Sequence, residues 1–396
     1  MFTASAPVQQ SVVDTLIICG AGIVSGKEIM ALELGEGLSQ RGRSVHVITS
    51  FWNNGDFPNR LKQLQIPTHI LPIGFISATL TKRNLEMTLE QMRRWPALLY
   101  GYSRLLQLLT PQKIIHTNWH HLLLLFPFLK PQRDLFWVHD LVPDLRQYRL
   151  VFGWLEHRLG AFICVSHATA CSLRKIGIGE HKIRVIHNGL ADPASSTNFA
   201  FRPGEQFRIG IVGQVNPWKG HDNLLEAFAL VARKHTKVEL HIFGRGGSAY
   251  KSELTAKAAE QSLSEKIRWH DFVPDTRDVY ANLDVCAIPS KAAESFGLVA
   301  LEAGFFGLPS VVTCRGGLPE IIEHEVNGLV VEAERPSELA AALSRLIEDP
   351  SLRQRLGANA RRRAVERFGR GRFLDEFTAV LNLEQPAKSA EVHELV

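Results

Sequence analysis

The chain predicts an α/β fold of the doubly wound type, two parallel sheets each covered by helices, and three observations carry that reading. Short apolar runs rich in β-branched residues alternate with helix-period segments along both halves of the sequence. A glycine-rich turn follows the first of these runs and opens a helical pattern, as the strand-to-helix turns of parallel sheets require. At 396 residues and 45% hydrophobic, the chain is too long for one ordinary core and long enough for two.

In the first half the apolar runs read as strands at 14–19, 44–50, 68–73, 113–119, 135–140, 161–166 and 183–189. The stretch LADPASSTNFAFRPGEQ (190–206) then lacks periodicity and is rich in Ala, Ser, Pro and Gly. This places a first domain at 1–190, a linker at 191–206 and a second domain at 207–370. Strands of the second domain are predicted at 207–213, 238–244, 266–272, 285–290, 310–314 and 328–332. Finally RFLDEFTAVL (372–381) sets Phe373, Phe377, Val380 and Leu381 on one helical face. That helix must dock on something, and the segment 371–396 is expected to return to the first domain before a frayed polar tail.

Composition narrows the function classes. The formal charge of +5 is unevenly spread, with 20 Lys and Arg against 13 Asp and Glu in residues 1–200 and 25 against 27 in the rest. The densest basic stretch, 81–109, interleaves Lys82, Arg83, Arg93, Arg94 and Arg104 with Trp95, Tyr100 and Tyr102 on a helical period. An amphipathic helix with a solvated face is the commoner meaning of such a pattern, and a peripheral contact with an anionic membrane is the other. Nucleic-acid binding is not expected, because no recognisable nucleic-acid module accompanies the charge. No basic flank precedes a long apolar core, and the most apolar run, LLLLFPF at 122–128, is short and holds a proline, so neither a signal peptide nor a membrane span is expected. Five cysteines without a C-x-x-C pair fit a reducing cytoplasm.

The opening turn, CGAGIVSGKEIMA (19–31), resembles two familiar phosphate loops and satisfies neither. A Walker loop needs a glycine where Ala21 stands and a hydroxyl where Glu28 stands. A dinucleotide loop could use Gly20, Gly22 and Gly26, but it also wants an acid at the end of the second strand, and SVHVITSFWNN has none there. What remains is a helix N-terminus beside glycines, able to take a phosphate. In the second half, Lys219 and Gly220 open a helix after the 207–213 strand, which aims a point charge over the carboxyl edge of the sheet. Glu294 and Glu302 lie eight positions apart; a continuous helix would bring them within about 80° of one direction. Carboxylates there suit sugar and ribose hydroxyls, and the N–H groups of Ser295, Phe296, Gly297 and Leu298 suit a diphosphate.

With Glu294 and Glu302 spaced as a Glu-seven-Glu motif, HNG at 187–189, KG at 219–220, GLPE at 317–320 and VNGLV at 326–330, the chain resembles a retaining glycosyltransferase of family 4, over nearly its whole length. The resemblance implies a GT-B fold, two facing Rossmann-like domains with a cleft between them. It also implies a nucleotide-sugar donor as substrate, no cofactor, and transfer of the sugar with retained configuration to a sugar or lipid-linked acceptor such as a polysaccharide precursor. By the same resemblance Lys219 neutralises the donor diphosphate, Glu294 contacts the donor sugar, Glu302 holds the ribose and Gly26 approaches the diphosphate from the first domain. His139, in FWVHDLVPDL, matches a histidine kept near the donor sugar, although a histidine satisfied at a strand end would look the same. Base recognition is expected from backbone and apolar walls around Phe272–Pro274, Val273 among them.

One residue departs from the pattern. Gln214 stands where such enzymes commonly carry an arginine on the phosphate, leaving Arg245 or Arg315 to compensate. The departure keeps open a non-catalytic sugar-nucleotide-binding subunit, beside a GT-B epimerase or phosphorylase. No metal is expected, since the chain has no Asp-x-Asp and His116, His120 and His121 straddle a strand end and a helix start.

Overall fold

The computed structural model describes residues 11–20, 24–76, 81–195 and 206–383. Gly22, most of the linker and the polar tail lie outside the described residues, as does the side chain of Arg83. Two compact units emerge. One comprises the chain up to Val165, Ala170–Ile186 and the chain from Phe373 onward; the other comprises Ser166–Thr169 and His187–Arg372.

The first unit is built on a seven-stranded sheet. Its strands are β1 (Thr15–Ile18), β2 (Val45–Ser50), β3 (Thr68–Leu71), β4 (Lys113–His116), β5 (Asp134–Val138), β6 (Phe162–Cys164) and β7 (Ile183–Val185). They lie in the order β3-β2-β1-β4-β5-β6-β7, all parallel, with Ile17 of β1 paired to Val47 on one side and Ile115 on the other. β1 is buried on both faces, which is why its sequence reads as an unbroken apolar run rather than an alternation. From Phe373 onward the helix Arg370–Asn382 belongs to this unit: Phe373 and Phe377 pack on Trp137 of β5 with ring centroids 5.9 and 4.8 Å away, and Asp375 pairs with Arg41 at 2.7 Å.

The second unit holds six parallel strands, β8 (Phe207–Val212), β9 (Val238–Phe243), β10 (Ile267–His270), β11 (Val285–Ile288), β12 (Ser310–Thr313) and β13 (Gly328–Val331), in the order β10-β9-β8-β11-β12-β13. Leu224, Phe228, Leu240, Leu343 and Leu356 are among its fully buried core residues. All thirteen predicted strands are present, yet most stop earlier than their apolar runs suggested. The run 113–119, for example, leaves the sheet after His116, Thr117 making the last bonds to β1 by donating both its N–H and its hydroxyl to the Ile18 carbonyl. Residues that continue an apolar run past a strand's carboxyl end therefore line the loops where ligands of such sheets bind.

Candidate active site

In each unit the strand order reverses beside the first strand, between β1 and β4 and between β8 and β11. Such switch points open a crevice at the carboxyl ends of the strands, where ligands of doubly wound sheets sit.

At the second unit's switch point, the loop after β8 carries Lys219 and the loop after β11 carries Glu294, and they meet as an ion pair with Nζ 2.7 Å from Oε1. Both side chains are mostly buried. Ser290 donates a second hydrogen bond to the same carboxylate oxygen at 2.6 Å, and its own carbonyl accepts from Thr313 at the end of β12. Two glycines allow this crowding. A Cβ on Gly220 would fall 2.0 Å from the carbonyl oxygen of Pro289, and one on Gly316 2.0 Å from that of Glu294. Both also adopt left-handed backbone, φ +75° and +63°. Gly317 then donates its N–H to the Glu294 carbonyl at 2.8 Å, fixing the backbone that presents the carboxylate.

The helix after this loop runs Leu298–Phe305, with Gly297 as its cap. Glu302 lies within it and Glu294 before it, so no continuous helix joins the two acids and each finds its own partner. Glu302 accepts a hydrogen bond from the Tyr280 hydroxyl at 2.7 Å, and burial pushes its carboxyl up to about 7, the Tyr280 bond only partly opposing the shift. The expected row of four phosphate-binding N–H groups straddles the helix start. Ser295 and Phe296 precede the cap, and the Phe296 side chain is buried, its ring 5.9 Å from that of Phe368. The N–H groups left over by the helix ladder are those of Gly297, Leu298 and Val299, since Ala300 already bonds Gly297.

Around this centre, Gln214 is exposed just after β8, Arg245 is exposed after β9 with its guanidinium 5.6 Å from the Phe272 ring, and Val273 is half-buried after β10. Among the described residues neither Arg245 nor Arg315 is paired with a carboxylate, so both remain free to meet an anion. Sequence reasoning missed Tyr280, Ser290 and the pair between Asp222 and Lys291, with Nζ 2.5 Å from Oδ2. A lone tyrosine or a Pro-Ser dipeptide carries no signal until the fold brings it to its acid.

The first unit's switch point is different in chemistry. Gly26 opens the helix Gly26–Gln40, and Glu28 accepts from both the backbone N–H and the hydroxyl of Ser25, at 3.0 and 2.6 Å. His139 follows β5, buried against Trp137, with Nε2 lacking a partner among the described residues. Burial, helped by the charge of Lys27, lowers His139 to about 3 and His120 to about 4, so both rings are neutral at pH 7. The three clustered histidines go separate ways: His116 Nε2 bonds Asp134 at 2.8 Å, His120 Nδ1 bonds Asn118 at 2.7 Å, and His121 is buried beside Gly20. Among the described residues the His, Asp, Glu and Cys trio with ligand atoms within 4.8 Å of one another is His167, His187 and Glu320. There Glu320 already accepts from the N–H groups of His167 and Ala168 and from His187, each at 2.7 to 2.8 Å.

Comparison with known proteins decides the family of each unit. Residues 24–192 match the model of Glycosyltransferase Family 4, and residues 196–363 match that of glycosyl transferases group 1. Its two domains are glycosyltransferase domains. Among curated relatives, the D-inositol 3-phosphate glycosyltransferase of Corynebacterium jeikeium is 34% identical over 200 residues, 49% of this chain and 48% of that protein. An uncharacterized glycosyltransferase of Methanocaldococcus jannaschii is 33% identical over 202 residues, 48% of this chain and 51% of its own. The chain thus spans about half the length of the curated relatives it matches. Over the whole fold, the Anabaena protein HepE, solved with UDP and glucose, superposes with a TM-score of 0.76 at 20% identity, covering 93% of this chain and 99% of its own. Sucrose-phosphate synthase of Thermosynechococcus elongatus gives the same TM-score of 0.76 at 20% identity, covering 93% and 98%. The architecture is GT-B, two Rossmann-like domains with parallel sheets of seven and six strands.

Proposed function

We propose that the chain transfers a sugar from a nucleotide diphosphate sugar to an acceptor hydroxyl with retention of anomeric configuration and without a metal. The observation that carries this reading is the Lys219–Glu294 pair at the switch point of the second sheet, beside the free N–H groups of Gly297, Leu298 and Val299. An arriving diphosphate draws Lys219 away from Glu294, and the freed carboxylate turns to the donor sugar's hydroxyls. The bond between the anomeric carbon and the phosphate oxygen then breaks, the acceptor oxygen bonds to that carbon on the same face, and the acceptor's proton passes to the departing phosphate. Lys219 and the helix N-terminus meet the charge that develops on the leaving group. Glu302 is assigned to the ribose, with Gln214, Arg245 and Val273 at the rim of the donor site.

From the first unit we assign Gly26 to the diphosphate and His139 to the donor sugar, the latter as a neutral hydrogen-bonding ring. That HepE was solved with UDP supports a nucleotide diphosphate as the shared part of the donor. For the acceptor, the helix Lys82–Leu109 gives the motive for a lipid-linked class. Tyr102 is core and Trp95 is half-buried, donating to the Leu124 carbonyl at 2.7 Å, so the three expected aromatics do not share one face. Leu85, Met87, Leu89 and Met92 are exposed near the helix's start instead, beside Arg93. Among the described residues no helix is long and apolar enough to cross a membrane. A peripheral contact with anionic lipid would use this exposed stretch.

Incubating the protein with nucleotide sugars in excess chelator tests the reading. Slow release of nucleoside diphosphate, and a product of unchanged anomeric configuration by NMR once an acceptor is found, is expected. Binding without any release would favour the non-catalytic subunit that the exposed Gln214 keeps in view.

A further inference from the structure

Two carboxylates occupy the proposed donor site, and the protein treats them differently. Glu294 is held by a cation and a serine hydroxyl, whereas among the described residues Glu302 has the Tyr280 hydroxyl as its one side-chain partner. Tyr280 closes the short helix Thr276–Tyr280 and is fully enclosed, 1% exposed, although it carries a polar group. Its ring lies against Phe306 just past the end of the Glu302 helix, with centroids 5.3 Å apart and planes inclined by 26°. A buried phenol usually places its hydroxyl on an acceptor, and here the acceptor is a single carboxylate oxygen at 2.7 Å.

We propose that Tyr280 is the positioning residue that aims Glu302 at the vicinal hydroxyls of the donor's ribose. The proposal rests on the assignment of Glu302 to the ribose. A side chain with two rotatable bonds beyond its Cβ would otherwise lose freedom on binding; fastening Oε2 to a stacked, enclosed phenol removes that freedom in advance and leaves Oε1 as the acceptor without a side-chain partner among the described residues. The hydroxyl supplies orientation without neutralising the carboxylate, which a lysine or arginine in its place would do. A carboxylate that must accept two sugar hydroxyls is served by such a partner better than by an ion pair.

The test measures dissociation constants of UDP, ADP and GDP, each beside its 2′,3′-dideoxy counterpart, for wild type, Tyr280→Phe and Glu302→Gln. For the nucleotide bound most tightly, wild type should prefer the ribose form and Glu302→Gln should lose most of that preference. Tyr280→Phe should weaken the ribose form roughly tenfold, about the effect of one hydrogen bond to a charged group, and leave the dideoxy form unchanged. A merely structural tyrosine would weaken both forms alike, and that result overturns the proposal, as does no change in either. Retained ribose preference in Glu302→Gln would overturn the assignment of Glu302 itself, and the proposal with it. Phe306→Leu guards against poor folding of Tyr280→Phe: it loosens the ring but keeps the hydroxyl, and a smaller loss confined to the ribose form is expected, whereas equal losses in both forms count against the proposal.

Discussion

The two switch points are alike in topology and different in charge. At the second unit's, Lys219 and Glu294 form a mostly buried pair, and Arg245 and Arg315 stand exposed near it. The first unit's offers imidazoles stripped of charge by burial, His139 at about 3 and His120 at about 4, with Lys27 as the cation that depresses them. A mostly buried charged pair costs desolvation energy, and in the proposed mechanism Glu294 is traded for a diphosphate of the same sign. Neutral buried rings suit hydroxyls, which ask for hydrogen bonds and no charge. The contrast supports the proposed roles, with Lys219 meeting the charge of the diphosphate, Gly26 offering it backbone alone, and His139 serving uncharged hydroxyls.

The comparison breaks most visibly at Lys219. In Lys219→Ala, turnover should fall on the order of 10²-fold or more, because the cation facing the leaving group is gone and Glu294 is left unpaired. Wild-type release of nucleoside diphosphate would move the electrostatic role to the arginines.

The acids should then separate by kinetics. Glu294→Ala is expected to lower kcat with KM for the donor little changed, and Glu302→Ala to raise KM about tenfold with kcat little changed. Equal losses in both parameters for both variants would erase the division of roles.

The acids also differ in pH response. The Glu302 carboxyl sits near 7 in the folded protein against 4.5 for an ordinary glutamate, chiefly through burial. As pH rises through about 7 the carboxylate forms and donor KM should fall. Stability runs the other way: the contribution of the protonated group is complete below about 4.5 and is lost as pH climbs through about 7. Thermal unfolding of Glu302→Gln should therefore gain on wild type between pH 5 and pH 8. A constant gap would show that the group does not titrate there.

At the first unit's switch point the expected pH effect is none. His139→Asn should reduce kcat/KM by the same factor at pH 6 and pH 8, since the wild-type ring is already neutral across that window. A factor that changes with pH would mean a titrating His139. The smallest expected effect concerns the surface: co-sedimentation with anionic liposomes at low salt should drop in Arg93→Glu/Arg94→Glu, each basic residue contributing about 1 kcal/mol. Equal sedimentation of the two proteins would remove the membrane from the account.

How much of this the sequence displayed follows from which interactions are local. The strands were legible because parallel strands buried on both faces are written as contiguous apolar runs, as in Leu16–Ile18 and Val285–Ile288. Their carboxyl ends were not, because a ligand loop can begin while the run still looks apolar, as after His116. Lys219 and Glu294 were visible as residue types in position, but their mutual pairing across 75 residues was not. Tyr280 was invisible altogether, because only the packed fold shows a phenol enclosed beside Glu302. The glycine loop was read from what it lacks, and part of it, Ala21 to Ile23, lies outside the described residues.

The assignment of the diphosphate's charge to Lys219 is tested most directly by calorimetric binding of UDP, ADP and GDP to wild type, to Lys219→Ala and to His139→Asn, at equal salt and pH. Binding to wild type and His139→Asn with comparable constants, and a loss of roughly tenfold or more in Lys219→Ala, is the predicted result. Undiminished binding in Lys219→Ala together with loss in His139→Asn would contradict it.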